Sequence, residues 1–242
     1  VHRVRVNSVK FRLWRNVIKE GDVWALFSRD AIALEMTLPI NSLRELNRST
    51  YCSIREYDRK QQLALKLIRP QTNPRDTIRK YFRSQAKREF TASLTLQSIG
   101  IATPAVFGYA FSVSPFSRYE SILFVEYIRG AANGMEFLAN TCDSALRKDF
   151  LKNVAGDIRT MYKNRLHHRD CNFGNILVGK GLNLLWIDND VRPIKNRQEL
   201  HEYTDETLLR LGRAYKRGLL TEVEWKYFTS LLLLEKNGEI LS

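Results

Sequence analysis

The sequence predicts an α+β protein of two lobes, the first strand-rich and the second helical. Two observations carry that expectation. Before about residue 130, apolar residues gather in short runs with alternating character, as in "LALKLI" (63–68) and "SILFVEYI" (121–128). Beyond it they recur at helical spacing, as in Leu146, Phe150, Val154, Ile158 and Met161. "RGAANG" (129–134) reads as the linker, so the expected lobes are residues 1–130 and 131–242, with a cleft between them.

Residues 1–20 are basic and strand-like in their alternation of Val4, Val6, Val9, Phe11 and Leu13. Two short apolar stretches, "VWALF" (23–27) and "AIALEM" (31–36), are assigned to neither state. "TYCSIREY" (50–57) and "LALKLI" then read as strands joined by the polar turn "DRKQQ". Asn73-Pro74 breaks the chain. A helix is expected from about Asp76 to Ser98, with Ile78, Phe82, Ala86, Phe90 and Leu94 forming its apolar stripe. Gly100 suits its C-terminal cap, and Pro104 forbids continuation. "AVFGYAF" (105–111) and "SILFVEYI" follow as strands. In the second lobe a helix starts near Asp143 or Ser144. "NILV" (175–178) and "NLLWI" (183–187) form a hairpin turned at "GKG", and two helices close the chain. The last begins at "TEVE" (221–224), where Thr221 and Glu224 have capping-box spacing.

The 242 residues suffice for one good core or two small lobes, and 44% hydrophobic with 27% charged content is ordinary for a folded chain. No apolar run approaches the roughly 20 residues that span a bilayer, and the first residues lack the apolar core of a secretory signal. Cys52, Cys142 and Cys171 are odd in number and scattered, which fits neither a disulfide framework nor a metal cluster and favours a reduced, cytoplasmic compartment. Charge is the anomaly. Thirty-nine Lys and Arg against 26 Asp and Glu leave a net +13, which predicts an anionic partner: nucleic acid, an acidic membrane surface or a phosphorylated substrate.

The chemistry concentrates in "HHRDCNFGNIL" (167–177). His168-Arg169-Asp170 is followed by Asn175 with four residues between, the H-R-D-x-x-x-x-N pattern of a phosphotransfer loop. In that pattern Asp170 accepts the proton of the attacking hydroxyl. Asn175 turns a side-chain oxygen toward a metal on the nucleotide phosphates. The hairpin then returns the chain, along Leu184–Ile187, to Asp188, a second hard oxygen ligand suited to Mg²⁺. A bland reading is a polar loop before an ordinary hairpin. The agreement of motif, apolar strand, turn and returning acid favours phosphotransfer. His167 and His168 raise a metal site or a general base as alternatives, but adjacent side chains point apart and no His or Cys partner has ligand spacing. His168 is expected to brace the loop, Arg169 to pair with a carboxylate or carbonyl, and Cys171 to have no role.

Phosphoryl transfer also needs a cation at the phosphates. Lys66 stands inside "LALKLI"; taken alone it is equally the exposed face of an alternating strand, and with the loop downstream it becomes the phosphate anchor. Its partner is sought on the helix 76–98, whose acids are Asp76 and Glu89. Glu89 lies mid-helix beside the apolar stripe, though a surface glutamate offsetting Lys87 and Arg88 is the alternative. Glu126 and Ile128, just before the linker, are expected to present main-chain groups to adenine. A phosphate-covering loop normally carries glycines, yet residues 45–57, "ELNRSTYCSIREY", have none. Ser49 and Thr50 are the expected substitutes there, through hydroxyls and main-chain N–H groups.

On "LALKLI", "AKREFTASLTLQSIGIATP", "LFVEYIRG", "HHRDCNFGNILV" and "LLWIDND", the chain resembles the protein-kinase-like superfamily over roughly residues 45–230, and more narrowly the bacterial lipopolysaccharide core kinases that phosphorylate heptose or Kdo. The resemblance implies a bilobal protein-kinase-like fold and an ATP- and Mg²⁺-dependent kinase. Asp170 would be its base, Asn175 and Asp188 its metal ligands, Lys66 its phosphate anchor and Glu89 the partner of that lysine. Asp188-Asn189-Asp190 departs from the Asp-Phe-Gly of protein kinases, and Asp190 is a candidate second carboxylate near the metal. Only 52 residues follow Asp190, and no Ala-Pro-Glu-like element occurs, so a sugar of the lipopolysaccharide inner core is expected as acceptor rather than a protein. A kinase of a soluble, aminoglycoside-like metabolite and an inactive kinase-like binding protein are the alternatives. Arg75, Arg79 and Arg83, with Lys80, Lys87 and Arg88, either form a solvated helix face or meet an anionic glycolipid or acidic membrane surface. Nucleic acid is not expected, because no recognised binding pattern appears. The expected location is cytoplasmic, peripheral on the inner membrane.

Overall fold

The computed structural model describes residues 24–28, 44–48, 52–58, 62–69, 83–112 and 119–233. The alternation expected over residues 1–20, "AIALEM", residues 76–82 and the candidates Ser49 and Thr50 lie outside the described residues. The chain forms two compact units: residues to Thr91 with Ala105–Ile128, and Ala92–Pro104 with Arg129 onward.

The first unit is built on a six-stranded sheet of β1 (Trp24–Ser28), β2 (Glu45–Arg48), β3 (Cys52–Asp58), β4 (Leu63–Ile68), β5 (Val106–Ser112) and β6 (Ser121–Glu126). Their order is β1-β5-β6-β4-β3-β2, antiparallel throughout. Trp24–Phe27 of the unassigned "VWALF" fall in β1, and the glycine-free segment contributes the antiparallel strands β2 and β3. Strand β4 lies between β6 and β3 and is covered on both faces, with Ala64, Leu65, Leu67 and Ile68 all at 1% exposure or less. Leu65 and Leu67 join Ala110, Tyr119, Ile122 and Phe124 in one core. Strand alternation turns Ala64, Lys66 and Ile68 the other way.

Helix α1 is described over Gln85–Ser98, within the expected helix, whose earlier part, residues 76–82, lies outside the described residues. The Ser84 hydroxyl accepts the Lys87 N–H (3.2 Å), Glu120 accepts that of Gln85 (3.0 Å), and Ser121 accepts that of Ala86 (3.2 Å). Three first-turn amides that lack intrahelical partners are thereby satisfied. The helix ends as expected at Gly100, whose φ of +84° is the left-handed cap that glycine adopts without strain.

The second unit holds α2 (Gly134–Asn140), α3 (Ser144–Lys163), α4 (Arg197–Lys216) and α5 (Glu222–Leu233). It also holds the three-stranded sheet β10-β9-β7 and the pair β11-β8. These strands are β7 (Ala132–Asn133), β8 (Leu166–His168), β9 (Ile176–Val178), β10 (Leu184–Trp186) and β11 (Val191–Pro193). "RGAANG" is therefore more than a linker. Ala132–Asn133 pairs with β9, and Asn133 caps α2 in a reciprocal box with Glu136. A two-residue strand and a seven-residue helix are too short to leave a periodic signal. Asp143 caps α3 as expected, accepting N–H bonds from Ala145 (2.8 Å) and Leu146 (3.2 Å). Leu146 itself is 44% exposed, so the buried stripe of α3 starts at Phe150. The capping box of α5 forms between Thr221 and Glu224. Phe150, Val154, Ile158, Phe173, Trp186, Leu211 and Phe228 fill the core.

Candidate active site

Lys66 and Glu89 meet in the first unit. The Lys66 ammonium donates to both Glu89 oxygens, at 2.9 and 2.7 Å, and the two side chains are 8% and 10% exposed. The exposed-strand and surface-glutamate alternatives are thereby overturned: β4 is an interior strand, and α1 turns Glu89 onto it. Nearby, the Glu126 N–H donates to the Ala105 carbonyl (2.8 Å) and its carboxylate accepts the Ala105 N–H (3.0 Å). The Tyr127 N–H is engaged by the Gln62 carbonyl (2.6 Å). Of the main-chain groups proposed for adenine, the Glu126 N–H is thus already committed.

The second unit assembles the loop. Strand β8 ends at His168, opposite Val191 of β11, and the Arg169 N–H donates to the Asp190 carbonyl (2.8 Å). The Asp170 carbonyl accepts two side-chain amides, from Asn172 (3.0 Å) and Asn175 (2.9 Å). A 3₁₀ turn at Phe173–Asn175 leads into β9, and the hairpin pairs Trp186 with Ile176. One more bond, from the Ile187 N–H to the Asn175 carbonyl (2.9 Å), brings the returning chain beside Asn175 and places Asp188 next in line. Asp188 has a φ of +55°, a left-handed conformation that costs a non-glycine residue about 1 kcal/mol and is commonest at functional positions.

The two histidines diverge, as expected. His168 is buried against Trp186, and its Nε2 lies 3.1 Å from the Asn189 Oδ1. Burial holds its pKa below the ordinary value, outweighing that hydrogen bond and the nearby Asp170, Asp190 and Asp188. His167 stacks on Tyr203 at 4.5 Å and lies 3.4 Å from Glu206 without completing a hydrogen bond. Burial keeps it neutral as well, against the pull of Glu206. Arg169 pairs with a carboxylate as expected, that of Asp190 at 3.1 Å. Burial pushes the Cys171 thiol up to about 12, which leaves it inert at neutral pH.

One part of the site was missed from sequence. Arg210, on α4, donates through Nη1 to the Asp170 Oδ1 at 2.8 Å. Its Nε and Nη2 donate to Glu206 Oε1 at 3.3 and 3.0 Å, and Glu206 Oε2 accepts from Arg192 at 2.6 Å. The only sequence signal is Glu206 four residues before Arg210, a spacing common on ordinary surface helices.

The donor set suits Mg²⁺. The Asn175 amide nitrogen is engaged by Asp170, which leaves its oxygen as the atom to offer, and Asp188 adds a carboxylate. Among the described residues no three His, Cys, Asp or Glu side chains converge. Also among the described residues, no helix is long and apolar enough to cross a membrane.

The comparisons with known proteins agree with this geometry. The model of the lipopolysaccharide kinase (Kdo/WaaP) family matches residues 41–231. The chain is similar in structure to WaaP in complex with acyl carrier protein, with a TM-score of 0.59 at 15% identity over 84% of this chain and 86% of that one. No curated protein matches in sequence. The likeness establishes the expected protein-kinase-like α+β fold.

Proposed function

We propose residue roles on one premise: the chain belongs to the lipopolysaccharide kinase (Kdo/WaaP) family. It is accordingly a lipopolysaccharide core kinase, a phosphotransferase acting on a sugar hydroxyl, and the soluble-metabolite and inactive alternatives are not favoured. The phosphoryl donor is ATP, and the acceptor a heptose or Kdo hydroxyl of the inner core. Asp170 accepts the proton of that hydroxyl as the new bond to phosphorus forms. Lys66, held by Glu89, meets the α- and β-phosphates. Asn175 and Asp188 would hold Mg²⁺, which supplies neutralisation of charge on the phosphate oxygens. Ile128 offers main-chain groups to adenine, with what remains of Glu126, and Ser49 and Thr50 cover the phosphates.

The observation that supports this reading is the closure of the loop on the hairpin, Asn175 to Asp170 and Ile187 to Asn175, which brings the proposed base and its two proposed oxygen ligands into one short stretch. The net charge of +13 supports action at an acidic membrane surface, on its cytoplasmic side, where each basic residue contributes about 1 kcal/mol. In the proposed basic cluster, Arg83 and Lys87 are exposed and Arg88 is half-buried, while Arg75, Arg79 and Lys80 lie outside the described residues.

The test is phosphate transfer from ATP to purified core lipopolysaccharide, with parent and Asp170→Ala protein at equal concentration. General-base removal is expected to lower kcat about 100-fold or more. An Asp170→Ala variant that transfers phosphate at the parent rate overturns the reading.

A further inference from the structure

We propose that Arg210, itself held by Glu206, is the positioning residue of the Asp170 carboxylate; the inference rests on the reading of Asp170 as base. The amides of Asn172 and Asn175 fix the Asp170 main chain through its carbonyl, not its carboxylate. That side chain is 59% exposed, so without a further contact it would rotate among hydrated rotamers. Arg210 supplies the contact at Oδ1 (2.8 Å) and leaves Oδ2 to face an acceptor hydroxyl.

The guanidinium can do this because its plane is fixed. Nε and Nη2 both reach Glu206 Oε1, so the third nitrogen, Nη1, has one direction left. Glu206 is fixed in turn by Arg192, whose guanidinium lies 4.0 Å over the Tyr203 ring. Arg192 is the cross-strand partner of His167, two residues before Arg169 and three before Asp170. The series from Asp170 through Arg210 and Glu206 to Arg192 thus ends on the strand pair that carries the loop. Two carboxylates face two guanidiniums, and burial keeps His167 neutral, so the set balances its own charge. Burial alone would raise the Glu206 pKa, yet the Arg210 hydrogen bond and the charges of Arg192 and Arg210 hold it below the ordinary value. Glu206 therefore stays ionised and keeps its grip on Arg210. A lysine could reach one carboxylate but could not fork to both.

Steady-state kinetics of the full chain, with ATP and core lipopolysaccharide, test this through Arg210→Ala, Arg210→Lys and Glu206→Gln, each also measured with Asp170→Ala. Arg210→Ala is expected to lower kcat about 10- to 100-fold, the size of a misplaced catalytic group, with KM for ATP within about two-fold of the parent. Arg210→Lys should recover part of kcat, Glu206→Gln should fall between, and added guanidinium ion should raise the rate of Arg210→Ala. In the Asp170→Ala background, Arg210→Ala should lower the residual rate no further. Full kcat in Arg210→Ala, or an equal loss in both backgrounds, overturns the inference. Should Arg210→Ala fail to fold, Arg210→Lys decides: parent kcat overturns the inference, and a kcat loss absent from the Asp170→Ala background supports it. Parent-like activity of Asp170→Ala alone would instead overturn the base assignment on which it rests.

Discussion

Lys66→Met isolates what the buried ion pair does. Methionine keeps most of the lysine stem, so packing in β4 is nearly conserved. What is lost is the cation that both Glu89 oxygens touch, at 2.9 and 2.7 Å, in a site where the carboxylate is 10% exposed. Removing one partner of a buried ion pair costs about 3–5 kcal/mol. For a chain of this length each kcal/mol moves the midpoint by about 2–4 °C, so a drop of roughly 10 °C is expected. Adding Glu89→Gln removes the carboxylate charge with little change of shape, and should restore most of that drop. Phosphate transfer should stay abolished in both variants, because neither has the phosphate anchor. Thermal denaturation of the three proteins, beside turnover with ATP, reads both effects. A Lys66→Met protein melting within about 2 °C of the parent would refute the reasoning, as would a double variant no more stable than the single one.

Two further outcomes are expected. Glu224 is held at about 2, below its ordinary 4.5, first by the Arg147 fork (2.6 and 3.0 Å) against the opposing effect of burial. A depressed carboxylate contributes stability that is complete above pH 4.5 and lost as pH falls toward 2. At about 1.4 kcal/mol per unit, trimmed for partial exposure, some 2 kcal/mol should disappear over that window. Melting temperature against pH should show it, and Arg147→Ala should flatten the curve. Gly134→Ala would set a Cβ 2.7 Å from the Phe173 carbonyl and 2.9 Å from the Phe150 ring. Backbone must then move at the turn that carries Asn175, so about 1–3 kcal/mol of stability and much of kcat should be lost. Parent kcat and midpoint in that variant would show that the turn tolerates displacement.

The catalytic loop was legible because its parts are contiguous. Asp170, Asn175 and Asp188 fall within 19 residues, and a hairpin needs no long-range pairing to bring its ends together. Lys66 and Glu89 were legible despite lying 23 residues apart, because a lysine inside an apolar strand needs an acid and the following helix offers few. Arg210 was not legible. Its link to Asp170 exists only once α4 packs against the loop, and Arg192 joins through a three-residue strand pairing that has no periodicity to read. The short β7 and α2 were lost for the same reason. The N-terminal capping of α1 depends on Glu120 and Ser121, 35 residues downstream of the amides they accept.

The departure at Asp188-Asn189-Asp190 has a structural account that bears on activity. Asn189 is 3% exposed, at the position where protein kinases carry an apolar ring. A buried side-chain amide without partners costs on the order of 1–3 kcal/mol, but this one is satisfied at both ends. Its nitrogen donates to the Ser93 hydroxyl (3.0 Å) and to the Trp186 carbonyl (3.0 Å). Its oxygen, which can only accept, faces His168 Nε2 at 3.1 Å, so the neutral His168 carries its proton there. The residue after Asp188 is thereby tied to α1, to the end of β10 and to the strand that opens the catalytic loop. The residue before it, Ile187, is tied to Asn175. A left-handed aspartate flanked by two such anchors is held against its own backbone preference. The hydrogen-bonded asparagine does by polar contacts what an apolar ring would do by packing: it fixes the direction in which Asp188 leaves the hairpin.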